Sequence, residues 1–165
     1  MQRYAFDCET NGLVHQLDKI HSLVLRDLDT GDIISCADQE GYEPICNGIH
    51  LLMGADLLAG HNIINFDFRA LKKVYPGFKK KPSCILCDTL IFSRVLWPEL
   101  EPVDEQKFSH IDTKHKGRHS LGAWGDRLNV NKTSLSEEGE SKWDVWSEEM
   151  QKYCENDTLV SLKLY

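Results

Sequence analysis

The spacing of hydrophobic residues changes several times along the chain, and each change predicts a new element. Short apolar or alternating runs predict strands at residues 3–8, 21–28, 33–37, 57–59 and 85–87. Apolar positions three and four residues apart predict helices at residues 44–53, 66–74, 89–95, 120–128 and 147–164. The polar stretch 98–116 is predicted to be a long loop. Residues 29–32 have hairpin turn chemistry, so the first three strands are predicted to pair antiparallel.

Two carboxylates share one face of the first predicted strand. Side chains alternate along a strand, so Tyr4, Phe6 and Cys8 point one way while Asp7 and Glu9 point the other. Like charges placed so close to each other repel. The pattern therefore predicts that a positive charge neutralises this pair.

Two further carboxylates interrupt the apolar stripes of predicted helices. Asp67 lies in the first turn of its helix, where the helix dipole favours an anion. Asp157 lies at mid-helix, where no dipole stabilises it, and a charge directed inward is costly unless it is paired or bound to metal. Its stripe contains Trp146, Met150, Tyr153, Asp157, Val160 and Leu164. One such acid is typical of a structural role, whereas the whole set predicts a functional one.

Asp7, Glu9, Asp67 and Asp157 are all predicted to point inward, from one strand and two helices. Four anions at one place repel unless cations neutralise them, and oxygen-only ligands favour hard divalent ions such as Mg²⁺ or Mn²⁺. The sequence therefore predicts a site for two metal ions roughly 3.5 to 4 Å apart, which stabilises the attacking and leaving oxygens of phosphodiester cleavage.

Composition narrows the class of protein. A length of 165 residues, with 41% hydrophobic and 27% charged residues, predicts one globular domain over residues 1–165. The net charge of −7 argues against a broad basic surface for nucleic acid. Six irregularly spaced cysteines without a secretory signal predict reduced thiols in the cytoplasm. No apolar run reaches the roughly 20 residues of a membrane-spanning helix.

Three short motifs carry a resemblance to a known family. They read Asp7-Cys8-Glu9-Thr10, Asn62-Ile63-Ile64-Asn65-Phe66-Asp67 and Tyr153-Cys154-Glu155-Asn156-Asp157. In this order they resemble the tyrosine subgroup of the 3′–5′ exonucleases with four acidic residues. Residues 87–94 and 119–125 are similar to the proofreading exonuclease domain of bacteriophage family A DNA polymerases. The resemblance covers nearly the whole chain and implies an α/β, ribonuclease H-like fold, with three antiparallel strands plus parallel strands flanked by helices.

The resemblance also implies a role for each matching residue. Asp7, Glu9, Asp67 and Asp157 would bind two divalent ions, Mg²⁺ or Mn²⁺, with Asp7 bridging them. Tyr153, one turn before Asp157 on the same helix face, would orient the attacking water.

The family contacts its terminal nucleotide just after the first motif and within the second. The matching residues here are Thr10, Asn11, Leu13, Asn62 and Phe66. Leu13 would act as a wedge against the terminal base. For Leu13 and Phe66, packing in the core is an equal alternative.

A zinc site is a competing interpretation of Cys84, Cys87, His110 and His115. The gap from Cys87 to His110 exceeds the usual spacing of roughly 12 to 15 residues, and residues 85–86 fit a buried strand better.

Three other features keep two interpretations each. Asp88 is either a further member of the acidic cluster or a helix N-cap. His119 caps the next helix or supports the site. The run Lys79-Lys80-Lys81 is either a solvated loop, which is favoured, or a local contact for a polyanion.

The function implied is a metal-dependent 3′–5′ exonuclease that releases nucleoside monophosphates from the 3′ end of single-stranded DNA, in proofreading. RNA is a second substrate class that the sequence leaves open. A monomer is expected, with a polymerase domain in cis or in trans, no membrane association and, for a phage protein, the host cytoplasm as its location. The alternatives are an exoribonuclease of the same fold and a non-catalytic nucleic-acid or partner-binding module.

Overall fold

The computed structural model describes residues 1–108, 110–130 and 143–165. Within these residues the strands form one mixed sheet in the order β3-β2-β1-β4-β5. The strands are β1 (Arg3–Thr10), β2 (Ile20–Asp27), β3 (Ile33–Cys36), β4 (Leu57–Gly60) and β5 (Ile85–Asp88). β1, β2 and β3 pair antiparallel, whereas β4 runs parallel to both β1 and β5. The predicted antiparallel hairpin and the mixed α/β sheet are therefore confirmed.

Helices surround this sheet. They are α1 (Ile45–Gly54), α2 (Asp67–Val74), α3 (Thr89–Leu96), α4 (Glu101–Lys107), α5 (Leu121–Arg127) and α6 (Glu148–Leu164), and a 3₁₀ turn covers Thr113–His115. Each of the five predicted helices forms, with bounds within one residue of those predicted. Trp146, which the predicted stripe of the last helix includes, precedes α6 and donates a hydrogen bond from Nε1 to Gln151 Oε1 at 3.1 Å.

The prediction of a long loop over residues 98–116 is wrong, because α4 lies within it. Pro102 occupies the first turn of α4, where its missing N–H costs nothing. Asp104 is fully buried and accepts hydrogen bonds at 2.7 Å from both Nε and Nη2 of Arg127, and one at 2.8 Å from the backbone N–H of Gly117. α4 is only seven residues long and turns Asp104 inward where an apolar residue would lie, so it shows no apolar period and its sequence is typical of a loop.

The two faces of the sheet pack against different helices. Phe6, Leu23 and Leu25 face α1 and α2, and the Phe6 ring meets Phe68 edge-on with 5.6 Å between centroids. α6 crosses the opposite face over β1, β2 and β4. Asp7 lies on this second face, against Cys154 of α6. The predicted alternation along β1 is thus confirmed.

β5 forms an edge of the sheet, and this corrects one prediction. Ile85 is 62% exposed, so the expectation that residues 85–86 form a buried strand fails for Ile85. The four candidate zinc ligands do not form a cluster in the part of the chain that the structure describes. His115 instead pairs through Nδ1 with Asp126, and all six cysteines are free thiols.

The Lys79-Lys80-Lys81 run makes local contacts rather than forming a fully solvated loop. Lys81 pairs with Asp56, and Lys80 donates to the backbone oxygen of Cys84 at 3.2 Å. Among the described residues, no helix combines the length and the apolar character needed to cross a membrane.

Candidate active site

The parallel pairing of β1 and β4 brings two of the sequence motifs to one edge of the sheet. The carboxyl ends of both strands lie there, so the loop after β1 and the loop before α2 are neighbours. Asp7 and Glu9 project from β1 near this edge, and the β1–β2 register shifts between Glu9 and Thr10. Single ligand atoms of Asp7, Glu9 and Cys154 all lie within 4.8 Å of one another.

The loop between β4 and α2 fixes the position of Asp67. At Gly60, a Cβ atom would lie 2.6 Å from the backbone oxygen of Phe6, so only glycine permits this close approach to β1. Asn62 adopts a left-handed conformation (φ 64°), which asparagine tolerates better than most residues. Asp67 then begins α2 and accepts a hydrogen bond at 3.0 Å from the backbone N–H of Cys8.

Asp88 stabilises the loop between β4 and α2 and is the N-cap of α3. Its carboxylate accepts from the backbone N–H groups of Asn62 and Ile64, at 3.0 and 3.1 Å. It also accepts from Leu90 and Ile91 at the start of α3. Four backbone donors give this buried acid a structural role, so the N-cap interpretation is confirmed. Burial is the main cause that raises the pKa of Asp67, and the negative charge of the nearby Asp88 adds to it.

α6 supplies Tyr153 and Asp157, and a chain of hydrogen bonds anchors this helix to the sheet. Gln151, fully buried, donates from Nε2 to Ser35 Oγ at 2.7 Å. Ser35 in turn donates to Glu155 Oε1 at 2.5 Å. These contacts fix both the turn before and the turn after Tyr153, and therefore the face that α6 presents to β1.

The four predicted carboxylates lie close enough to one another for the charges of three of them to affect the ionisation of Asp7. Burial raises the pKa of Asp7 well above its usual range, and the charges of Asp67, Glu9 and Asp157 raise it further. Burial also raises the pKa of Asp67 to about 6. Asp157, Glu9 and Asp7 likewise add to the effect of burial in raising the pKa of Tyr153, which is hydrogen-bonded to Asp157.

The donors present suit a divalent cation. Several carboxylates crowd one another in a buried place. Burial and the neighbouring negative charges both raise the pKa of Asp7, so the ionised cluster favours a compensating positive charge. Carboxylate oxygens are the ligands that Mg²⁺ prefers. Cys154 adds a sulfur atom to this set, and the sequence prediction of metal ligands did not include it. Its spacing of three residues before Asp157 places the two side chains on one helix face, which is the signal that identifies it.

Two of the predicted nucleotide-contacting residues, Thr10 and Asn11, make hydrogen bonds within the loop after β1. The Thr10 hydroxyl donates to the backbone oxygen of Gly12 at 2.8 Å, and the Asn11 side chain bonds Asp18 and the backbone of Lys19. Both side chains therefore shape the loop after β1. Their contact with a nucleotide stays a prediction.

The other three predicted contacts lie around the same edge. Leu13 is 61% exposed, which excludes packing in the core as its role. Phe66 is half-buried and packs partly against the core, while the Asn62 side chain accepts a hydrogen bond from Asn65 at 3.4 Å. His119 does not cap α5, since Ser120 does; its Nδ1 lies 3.0 Å from Ser93 Oγ.

The chain is similar to known polymerases and nucleases, although no protein-family model matches it. The DNA-directed DNA polymerases of Escherichia phage T7 and Enterobacteria phage T3 are each 28% identical to it over 185 aligned residues. These alignments cover 96% of this chain and 25% of each polymerase, so the chain spans about a quarter of the length of the curated relatives it matches.

Solved nuclease structures share the fold. The apo form of a nuclease superposes with a TM-score of 0.62 at 22% identity, covering 99% of this chain and 69% of the nuclease. Brucella melitensis NrnC bound to pGG gives 0.60 at 18% identity, and NrnC with bound Mg²⁺ gives 0.52 at 19%. Both cover 99% of this chain and 70% of NrnC. The predicted ribonuclease H-like fold and the predicted resemblance to phage DNA polymerases are confirmed.

Proposed function

We propose that the protein is a metal-dependent 3′–5′ exonuclease that hydrolyses the terminal phosphodiester bond of single-stranded DNA and releases nucleoside monophosphates, in proofreading. The observation that carries this proposal is the convergence of three carboxylates on Asp7, from β1, α2 and α6, beside an exposed loop. Similarity to the phage polymerases, and a fold shared with NrnC, support the same activity.

Asp7, Glu9, Asp67 and Asp157 would hold two divalent ions, Mg²⁺ or Mn²⁺. When bound, such ions activate water and stabilise charge on the attacking and leaving oxygens. The NrnC structure with bound Mg²⁺ supports this choice of metal. The repulsion among these carboxylates would supply part of the affinity, because binding a cation relieves it.

Tyr153 would orient the attacking water. The raised pKa of its hydroxyl keeps it protonated at neutral pH, so it does not serve as the general base. A phenol oxygen that donates its proton to Asp157 can still accept a hydrogen bond from water. Leu13 and Phe66, with Thr10, Asn11 and Asn62 shaping the two loops, would receive the unstacked terminal nucleotide.

Residues 1–165 would act as a single exonuclease domain and a monomer, with a polymerase domain in cis or in trans. The polymerase relatives support this partner. For a phage protein the location would be the host cytoplasm. RNA is the second substrate class to test, because cleavage of the phosphodiester bond itself does not need to distinguish the two sugars.

The test is a time course on 5′-labelled single strands of DNA and RNA with Mg²⁺, Mn²⁺ or EDTA. We expect a ladder of products shortened from the 3′ end in either metal and no cleavage in EDTA. Frayed or mismatched ends should be cut faster than paired ends, because unpairing costs a few kcal/mol.

A closed circular single strand is the matched control substrate. Its cleavage would indicate an endonuclease, and binding without cleavage in every metal would indicate the non-catalytic alternative. Faster cleavage of RNA than of DNA would assign the protein as an exoribonuclease.

A further inference from the structure

A soft donor atom lies among the hard donors of the proposed metal site. Cys154 Sγ is 3.5 Å from Asp7 Oδ2 and 3.4 Å from the backbone oxygen of the same residue. A ligand atom of Glu9 completes a group of three within 4.8 Å. Cys154 is fully buried, so α6 holds its thiol against β1 rather than toward solvent.

Thiol sulfur and carboxylate oxygen prefer different metal ions. Mg²⁺ and Mn²⁺ favour oxygen ligands, whereas Zn²⁺ and Cd²⁺ bind thiolate readily and need fewer ligands. Two carboxylates and one sulfur within 4.8 Å form a donor set of the mixed kind that zinc accepts. A serine at this position would offer a similar size and a hydrogen bond to Asp7, but no soft donor.

We propose that Cys154 determines the metal specificity of this site, by binding thiophilic divalent cations such as Zn²⁺ and Cd²⁺ through sulfur together with Asp7 and Glu9. The inference rests on the metal-binding cluster of the proposed function. Such an ion takes ligands that the Mg²⁺ form of the site needs, and so competes with Mg²⁺ and inhibits hydrolysis.

The chemistry of this binding is an exchange of a proton for a metal. The Cys154 S–H bond breaks, its proton passes to solvent, and a metal–sulfur bond replaces the hydrogen bonds that the thiol made to Asp7. No electron is transferred, so neither an oxidant nor a reductant is required.

The experiment compares Cd²⁺ and Mg²⁺ binding to the full 165-residue chain and to Cys154→Ser. Cd²⁺ binding is followed by the ultraviolet sulfur-to-cadmium charge-transfer band and by competition with Mg²⁺. We expect the ratio of Cd²⁺ to Mg²⁺ affinity to fall about 10- to 100-fold in Cys154→Ser, with loss of the band that titrates first. Cys46→Ser is the matched control, since Cys46 is exposed and should contribute only weak binding.

A measurement on the unaltered protein keeps the inference testable if Cys154→Ser does not fold. X-ray absorption of the protein with one equivalent of Zn²⁺ should show a sulfur neighbour at about 2.3 Å beside oxygen neighbours. Zinc with only oxygen and nitrogen neighbours, or a charge-transfer band that persists unchanged in Cys154→Ser, would overturn the proposal. These readouts do not depend on nuclease activity, so a sulfur-bound metal in a protein that cleaves nothing would refute the proposed function alone.

Discussion

Asp67→Asn should stabilise the metal-free protein at neutral pH. Asparagine has the shape of aspartate and keeps an oxygen that accepts the 3.0 Å hydrogen bond from the backbone N–H of Cys8. The substitution removes one of the negative charges that lie close together around Asp7. If the negative charge of Asp67 stabilised the fold, its removal would instead lower the free energy of unfolding.

The magnitude follows from the pKa of Asp67. A folded-state pKa of about 6, against an ordinary value of 3.8, means that ionising this buried acid costs about 3 kcal/mol of folding free energy. A hydrogen bond from Cys8 to a neutral acceptor is weaker than one to a carboxylate by about 1 kcal/mol. The net gain should therefore be about 2 kcal/mol, or roughly 4 to 8 °C in melting temperature for a chain of this length.

The direction of the Asp67 pKa shift determines the pH range over which stability changes. A carboxyl group whose folded pKa is raised binds more protons in the folded than in the unfolded state, so stability falls as pH rises from about 4 to about 6. In Asp67→Asn, most of this fall in stability between about pH 4 and about pH 6 should be absent. The assay is urea unfolding in EDTA at several pH values from 4 to 8, with Glu105→Gln, an exposed acid of α4, as control. Equal or lower stability of Asp67→Asn at pH 7.5, with the wild-type pH dependence retained, would refute the reasoning.

Four other substitutions test three separate parts of the structure. Tyr153→Phe should slow hydrolysis on the order of 10- to 1000-fold while metal binding is retained. Asp157→Asn should lower both the hydrolysis rate and the metal affinity, and single-turnover rates measured beside metal titrations distinguish these two results. Asp104→Asn should cost about 3 to 5 kcal/mol in urea unfolding, because it leaves Arg127 charged and buried without its partner, and a loss below about 1 kcal/mol would contradict that role. Leu13→Ala should change stability by less than about 0.5 kcal/mol and raise KM for single strands, and an unchanged KM would remove Leu13 from the nucleotide pocket.

The parts of the fold that local pattern determines were predictable from the sequence. Alternation on β1 fixed the shared face of Asp7 and Glu9, and the helical stripes directed Asp67 and Asp157 inward. Their convergence depends on β1 and β4 being parallel neighbours, which the sequence alone supported only through resemblance. Periodicity gives the face of an element and not its place in the sheet.

The errors arise where distant residues decide local structure. α4 is stabilised by Asp104 meeting Arg127, 23 residues away, so no local period marks it. Ile85 reads as a core residue, yet β5 is an edge strand and leaves that side chain exposed. The spacing of Cys154 and Asp157 places both side chains on one face of α6, but the approach of α6 to β1, which no local pattern predicts, places the Cys154 sulfur beside Asp7.

The most direct test of the central claim uses a single strand labelled at its last internucleotide phosphate. With Mg²⁺, the first labelled product should be the 3′-terminal nucleoside 5′-monophosphate, released by wild type and by Glu149→Gln, an exposed acid of α6. Asp7→Asn should release none, because it removes the carboxylate on which the other three converge. Release of the label in longer fragments, or at the wild-type rate by Asp7→Asn, would contradict a 3′–5′ exonuclease that depends on the acidic cluster.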